Sequence, residues 1–339
     1  MKQAKRVLSV LLCLVLLLGV LPVSALAEDA GTSVAKIGEQ TYNSLQDALN
    51  AAAGKAGDTT VELLDDIDLS DAAWTSVVVS GGKTSNIGTV TLDGKGKTIT
   101  GLNAPLFGSC GTGTSGIVIK DLTLDKADIT VDEQDTTGTT GVGAFIQYAG
   151  AADPVTLENC KLTNSSVKGG HWAGGLIGYT AGFSEIGNGE RASYVTLTNC
   201  SVTNSSVTSK GSVGGLIGHA GGDAWTYSTI TNCDVSNCTL NGKYVGDLVG
   251  TAGVGQLTVD QATVDNTKDN TRTQDNTTGE VIENGLVGRA VLNNAGLLIV
   301  AGKVVAAGTN YGDIADANAS EVLIDCGNGK WEKLDDDTV

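Results

Sequence analysis

"VTLENCKLTNSSVKGGHWAGGLIGYTAG" occupies residues 155–182, and "VTLTNCSVTNSSVTSKGSVGGLIGHAGG" occupies residues 195–222. The two stretches agree in register over an Asn-Cys step and a Gly-Leu-Ile-Gly step. What recurs is apolar spacing, glycine and one amide, not a set of reactive groups, so the repeat specifies architecture. Aligned on the Asn-Cys step, copies fall at Asn159-Cys160, Asn199-Cys200 and Asn232-Cys233, with weaker ones at Asp121-Leu122 and Gln261-Ala262. Units recurring every ~30 to 40 residues stack on one another. "VTLDGKGKTITGL" (90–102) reads as the same unit with a tighter turn, "TVELLDDIDLS" (60–70) starts the stack and "GLLIVAGKVVAAG" (296–308) ends it. Together they predict about eight coils.

Parity inside the unit shows where a coil bends. Val155 and Leu157 precede the Asn at odd positions, whereas Cys160 and Leu162 follow it at even ones. Strand side chains alternate with period two, so a slip at one residue means that the strand turns there while both arms keep their apolar side inward. Asn suits that corner because it tolerates left-handed backbone better than other residues bearing a Cβ. Cys160, Cys200 and Cys233 then face the core.

Strand, one-residue Asn corner, strand, variable loop and strand resemble the right-handed parallel β-helix of the pectate-lyase-like class, in which stacked corner amides form an Asn ladder. The resemblance covers about residues 60–310. Gly175-Leu176-Ile177-Gly178, Gly215-Leu216-Ile217-Gly218 and Gly285-Leu286-Val287-Gly288 resemble the GLUG motif of bacterial surface repeat proteins; Asp247-Leu248-Val249-Gly250 departs at its first position. The expected fold is therefore all-β, a right-handed parallel β-helix with a short N-terminal capping helix. That helix is read from "SLQDALNAAAG" (44–54): Ser44 is the N-cap, Leu45, Ala48, Leu49 and Ala52 share one face, and Gly54 ends it. It would plug the open end of the stack, where unpaired edges invite aggregation. "VAKIGEQTYNSLQDALNAA" (34–52) also resembles the start of exported clostridial-type surface proteins, which implies a bacterial secreted setting.

The ends agree with export. Residues 1–27 carry Lys2, Lys5 and Arg6, an apolar run from Val7 and an Ala25-Leu26-Ala27 cleavage site, the pattern of a secretory signal peptide. Residues 28–59 form the N-terminal cap, 60–310 the β-helix repeats, and 311–339 a C-terminal end whose "DDDTV" reads as a flexible tail. The chain has 21 basic and 38 acidic residues, a net charge of −17. Cleavage would remove three basic residues and no acidic ones. That sign disfavours nucleic acid and anionic membranes as partners. No second long apolar run follows the first, so no integral membrane segment is expected after signal cleavage.

No catalytic, metal or cofactor site stands out. Related enzymes on this fold work through charged residues on the face that here carries Gly-Leu-Ile-Gly, and this face is apolar. His171 and His219 are not equivalent in the repeat frame and read as incidental loop residues. "DNTKDNTRTQDNTTGE" (265–280) lacks the sixth-position Gly and the Glu spacing of a calcium loop, and reads instead as a solvated loop leaving the stack. Cys160 and Cys200 are expected as free buried thiols, because parallel stacking holds their Cβ atoms wider than a disulfide's; Cys233 and Cys238 make the better local pair. Aromatics are scarce at 4%. Those beside the Gly-Leu steps, Trp172, Tyr179, Trp225 and Tyr227, with Tyr244, are therefore the candidates for stacking on a ligand. In a straight strand Leu176 and Ile177 point to opposite faces. Either Phe145, Leu176, Leu216, Leu248 and Leu286, or Ile146, Ile177, Ile217, Val249 and Val287, would then look outward as an apolar stripe. The expected function is that of a secreted or cell-surface binding protein, adhesin-like, with a carbohydrate or a host or cell-surface protein as partner. The alternatives are a polysaccharide-degrading lyase or hydrolase of the same fold and a passive stalk.

Overall fold

The computed structural model describes residues 32–79, 87–110, 116–131, 141–150, 154–181, 193–222, 226–274, 285–292, 296–307, 323–325 and 331–333. The stretch read as a signal peptide, Trp225, residues 275–280 of the acidic loop and the final "DDDTV" lie outside the described residues.

The repeat quoted above is one circuit of the chain. Val155–Glu158 belongs to a 13-stranded sheet (I), Lys161–Thr163 to a six-stranded sheet (II) and Ser166–Gly169 to a five-stranded sheet (III). Trp172–Gly174 belongs to a four-stranded sheet (IV) and Ile177–Thr180 to a seven-stranded sheet (V). The chain then returns to sheet I at Ser193–Thr198, parallel to Val155–Glu158. Register is kept all the way round: Val155 pairs with Val195, Leu162 with Val202, Val167 with Val207, Ala173 with Val213 and Ile177 with Ile217. Like residues therefore stack on like in successive circuits, about 4.8 Å apart. The molecule is an all-β parallel solenoid.

The Asn corner behaves as its parity demands. Asn159, Asn199 and Asn232 have φ of 53°, 54° and 50°, and Asp121 joins them at 51°. Their side chains form a ladder: Asn232 Nδ2 donates to Asn199 Oδ1 at 2.7 Å, Asn199 Nδ2 to Asn159 Oδ1 at 3.1 Å, and Asn159 Nδ2 to Asp121 Oδ1 at 2.8 Å. A second left-handed corner follows between sheets II and III at Asn164, Asn204 and Asn237, with Lys126 in the same place one circuit earlier. The weak copy at Gln261-Ala262 is not a strand corner. Asp260 caps a helix there, Gln261–Asn266, accepting from Thr263 N, and its carboxylate also receives the Asn232 N–H at 3.1 Å.

The Gly-Leu-Ile-Gly step corrects the straight-strand expectation. Both proposed columns are core: Leu176, Ile177, Leu216, Ile217, Leu248 and Val249 are all fully buried. The backbone explains it. Leu176 N and Ile177 N both donate to Leu216 O, and Leu216 N and Ile217 N both donate to Leu248 O. Two consecutive N–H groups sharing one carbonyl mark a bulged corner between sheets IV and V, which cancels the alternation and turns both side chains inward. Each such side chain contributes about 1.5 to 3 kcal/mol of burial. Among the described residues, neither column leaves an apolar stripe on the outside.

Cys160, Cys200 and Cys233 stand just past the first corner, buried, with Cys160 Sγ donating to Ile119 O and Cys200 Sγ to Leu157 O, both at 3.3 Å. Cys233 and Cys238 are free rather than paired. The strand Asp234–Ser236 separates them, so each faces the core from its own corner. At the N-terminal end, helix Leu45–Ala53 buries Leu45, Ala48, Leu49 and Ala52, and Ser44 Oγ accepts from Asp47 N at 3.3 Å. Residues 265–274 do not leave the stack as a loop. Asp265 accepts from Gln261 Nε2, Asn270 bonds Cys238 N and Val235 O, and Thr271–Gln274 pairs in parallel with Thr239–Gly242 in sheet III. Among the described residues, no helix is long and apolar enough to cross a membrane and no cluster of metal-ligating side chains occurs.

Candidate binding groove

Sheets IV and V meet at the bulged corner at close quarters, and glycine makes that possible. A Cβ at Gly218 would lie 2.6 Å from Gly178 O and 2.7 Å from Ala173 N, both backbone atoms. The second glycine of each step is thus where two sheets touch. The residue directly after it emerges from the contact: Tyr179, His219, Thr251 and Arg289 on sheet V, with Tyr148, which follows Gln147, in register before them. Facing them on sheet IV are Trp172, Ser212 and Tyr244, also in register. The two columns border one groove.

Its first half is aromatic. Tyr148 stacks on Tyr179 with centroids 5.3 Å apart, and Trp172 stacks on Tyr179 at 4.5 Å with 18° between planes. All three rings are half-buried. His171, exposed, meets Trp172 edge-on at 5.1 Å. Such offset and edge arrangements are the favourable ones for rings with a negative face and a positive rim.

His219 continues the column, 4.8 Å from Trp172 and 5.2 Å from Tyr179 by ring centroids. Neither of its nitrogens has a hydrogen-bond partner, and Nε2 faces Gly253, where a Cβ would come within 2.5 Å. Burial pulls its pKa down to about 3, with the positive charges of Arg289 and His171 adding to the effect. It is a neutral imidazole at any ordinary pH.

The second half of the groove is polar and cationic. Ser212 Oγ and Thr251 Oγ1 share a hydrogen bond of 2.6 Å. The Arg289 guanidinium lies over the Tyr244 ring at 4.5 Å, and Lys243 Nζ lies 5.3 Å from it. Burial alone would raise the Tyr244 pKa; hydrogen bonding and charge from Arg289, with Lys243, outweigh it and hold the phenol below its ordinary value. A cleft of about 210 Å³ opens here, lined among others by Trp172, Ser212, His219, Tyr244, Thr251 and Arg289. Asp247, in the place of the first glycine of its step, is outside that lining; burial raises its pKa despite Arg272 Nε at 3.6 Å.

Of the residues singled out from the sequence, Trp172 and Tyr179 come together in the groove and Tyr227 does not. Tyr227 lies on sheet I, half-buried and stacked at 5.4 Å on Tyr194, whose side is exposed. His219 and Arg289, which sequence reasoning passed over, are in the groove. The signal available for them was positional: each directly follows a Gly-Leu-Ile/Val-Gly step.

No protein-family model matches the chain, and no curated protein matches it. A crystal structure of a candidate immunoglobulin A1 protease from Bacteroides ovatus is similar over 83% of this chain and 75% of that one, with a TM-score of 0.48 and 18% identity.

Proposed function

We propose that this chain is an exported bacterial binding protein, adhesin-like, built on a right-handed parallel β-helix of about eight coils with GLUG-type steps. It presents the groove between sheets IV and V to a carbohydrate or to a host or cell-surface protein. The observation that carries the reading is the half-buried stack of Tyr148, Tyr179 and Trp172, whose indole lines a cleft. Rings on the outside of a solenoid contribute little to the core that stacks the circuits, and partly exposed aromatics are the residues that interfaces use as anchors. The test is a glycan and host-protein binding screen of the purified protein beside Trp172→Ala with Tyr179→Ala. The double variant is expected to keep its far-UV dichroism and melting temperature within a few degrees and to lose binding. A double variant that instead unfolds several degrees early while a folded fraction still binds its partner would assign the rings to structure.

The cleft also bears on the polysaccharide-degrading alternative. Glycoside hydrolysis commonly needs two carboxyl groups, and no Asp or Glu is among the described residues that line the cleft. The Tyr244 phenol with its lowered pKa and the Arg289 guanidinium over its ring favour proton transfer by elimination over hydrolysis as the form of that alternative. Release of unsaturated products from a purified, glycan-binding preparation, lost in Tyr244→Phe, would replace binding with catalysis.

A further inference from the structure

Building on the binding reading above, we infer that the cleft at Trp172, Ser212, Tyr244 and Arg289 is a subsite for one carboxylated sugar ring. Size comes first: about 210 Å³ accommodates a single ring, not a folded protein element. The walls come next. A pyranose has an apolar C–H face and a hydroxyl rim, and this cleft is lined by the Trp172 indole and by the Ser212–Thr251 hydroxyl pair.

Charge narrows the ligand further. The chain carries 38 acidic against 21 basic residues, yet among the described residues neither Arg289 nor Lys243 is ion-paired. Both are held against the Tyr244 ring instead, Arg289 at 4.5 Å and Lys243 at 5.3 Å. In so acidic a protein, an arginine in a cleft whose described lining holds no carboxylate, with Lys243 beside the same tyrosine, leaves a place for an anion brought by the ligand. A planar guanidinium fits a carboxylate through two parallel N–H donors.

A peptide is the weaker occupant. Extended peptides add to a free strand edge, whereas both walls here are already paired: Ser212–Gly214 lies between the Trp172 and Tyr244 strands, and Ile217–Ala220 between the Tyr179 and Thr251 strands.

The test is titration of the purified protein with D-glucuronic acid, its methyl ester and D-glucose, followed by saturation-transfer NMR and calorimetry. Glucuronate is expected to bind about tenfold more tightly than either neutral ring. Arg289→Gln is expected to erase that preference, and raised salt to shrink it. Equal affinity for acid and ester in the unaltered protein overturns the carboxylate and leaves the aromatic groove standing, with no dependence on how Arg289→Gln folds. Failure of all three rings to bind overturns the sugar subsite itself. If glycan capture in the screen also survives loss of Trp172 and Tyr179, the groove falls with it.

Discussion

Replacing Asn199 separates two contributions that the corner combines. Its side chain donates to Asn159 at 3.1 Å and accepts from Asn232 at 2.7 Å, and its backbone sits at φ 54°. Both ladder bonds are exposed, so each belongs at the low end of the net range, about 0.5 kcal/mol, or about 1 kcal/mol for the pair. Alanine in the left-handed region adds about 1 kcal/mol relative to asparagine. Asn199→Ala should therefore cost about 2 kcal/mol. Asn199→Gly loses the same ladder bonds, about 1 kcal/mol, but adopts the corner freely, a gain that offsets its freer unfolded chain, and should cost about 1 kcal/mol in all. Urea unfolding of the two variants and the parent, followed by far-UV dichroism, gives the comparison at constant m. Equal losses for Ala and Gly would refute the backbone argument, and two variants indistinguishable from the parent would refute the ladder as well.

Gly218→Ala forces a methyl group between two backbones and is expected to lower stability by about 1 to 3 kcal/mol and to move the Trp172 environment in near-UV dichroism; a silent substitution would mean that the sheets approach less closely. The buried thiols should resist alkylation in the native protein at pH 8. Peptide mapping should find Cys160, Cys200, Cys233 and Cys238 labelled only in denaturant, because the hydrogen bond with Cys160 and burial push Cys200 up to about 12, and burial pushes Cys238 up to about 11. A bridge between any two of them would contradict the geometry. His219 gives a pH signature. Its folded pKa of about 3 lies below the unfolded value near 6.5, so the unfolded chain binds the extra proton between these limits. Stability should therefore be unaffected by this group above pH 6.5 and fall as pH drops below it. His219→Asn should flatten the pH 5 to 6.5 part of the curve, before most carboxylates titrate, and an unchanged slope there would remove the imidazole from its buried place.

The corner at Asn159, Asn199 and Asn232 was legible because a single residue shifts the apolar parity and only certain side chains tolerate the backbone required. The second corner carries the same signature, since Leu162 and Val167 lie five apart across Asn164, an odd interval that again breaks the alternation. Leu176 and Ile177 were misread for a physical reason. Alternation presumes one ladder bond pattern along a strand, and a shared carbonyl suspends it without any change of residue type that would announce the bulge. Residues 265–274 misled through composition: Asp265 and Asn270 look like solvated loop residues, yet their side chains serve a helix and the neighbouring circuit. In the groove, Trp172 and Tyr179 were found as aromatics beside the repeat. His219 and Arg289 were missed because, from Tyr179 onward, the position that unites them changes residue type at every circuit, so only register, not chemistry, reveals it.

That position amounts to a line of print on a fixed page. From Tyr179 onward the glycine before it holds the backbone, and the Leu and Ile or Val before that fill the core, as Phe145 and Ile146 do ahead of Gln147 and Tyr148. Tyr148, Tyr179, His219, Thr251 and Arg289 are five letters set at one-rung spacing, running from ring to imidazole to hydroxyl to cation. A substitution there rewrites one rung of the groove-facing text and leaves the backbone pairing beneath it in place. Duplication of a whole circuit would lengthen the line by about 4.8 Å without requiring a new interface, since each circuit already fits its neighbour. Recognition on such a scaffold can change in small, independent steps, as the fold and the message are written at different positions of the same repeat.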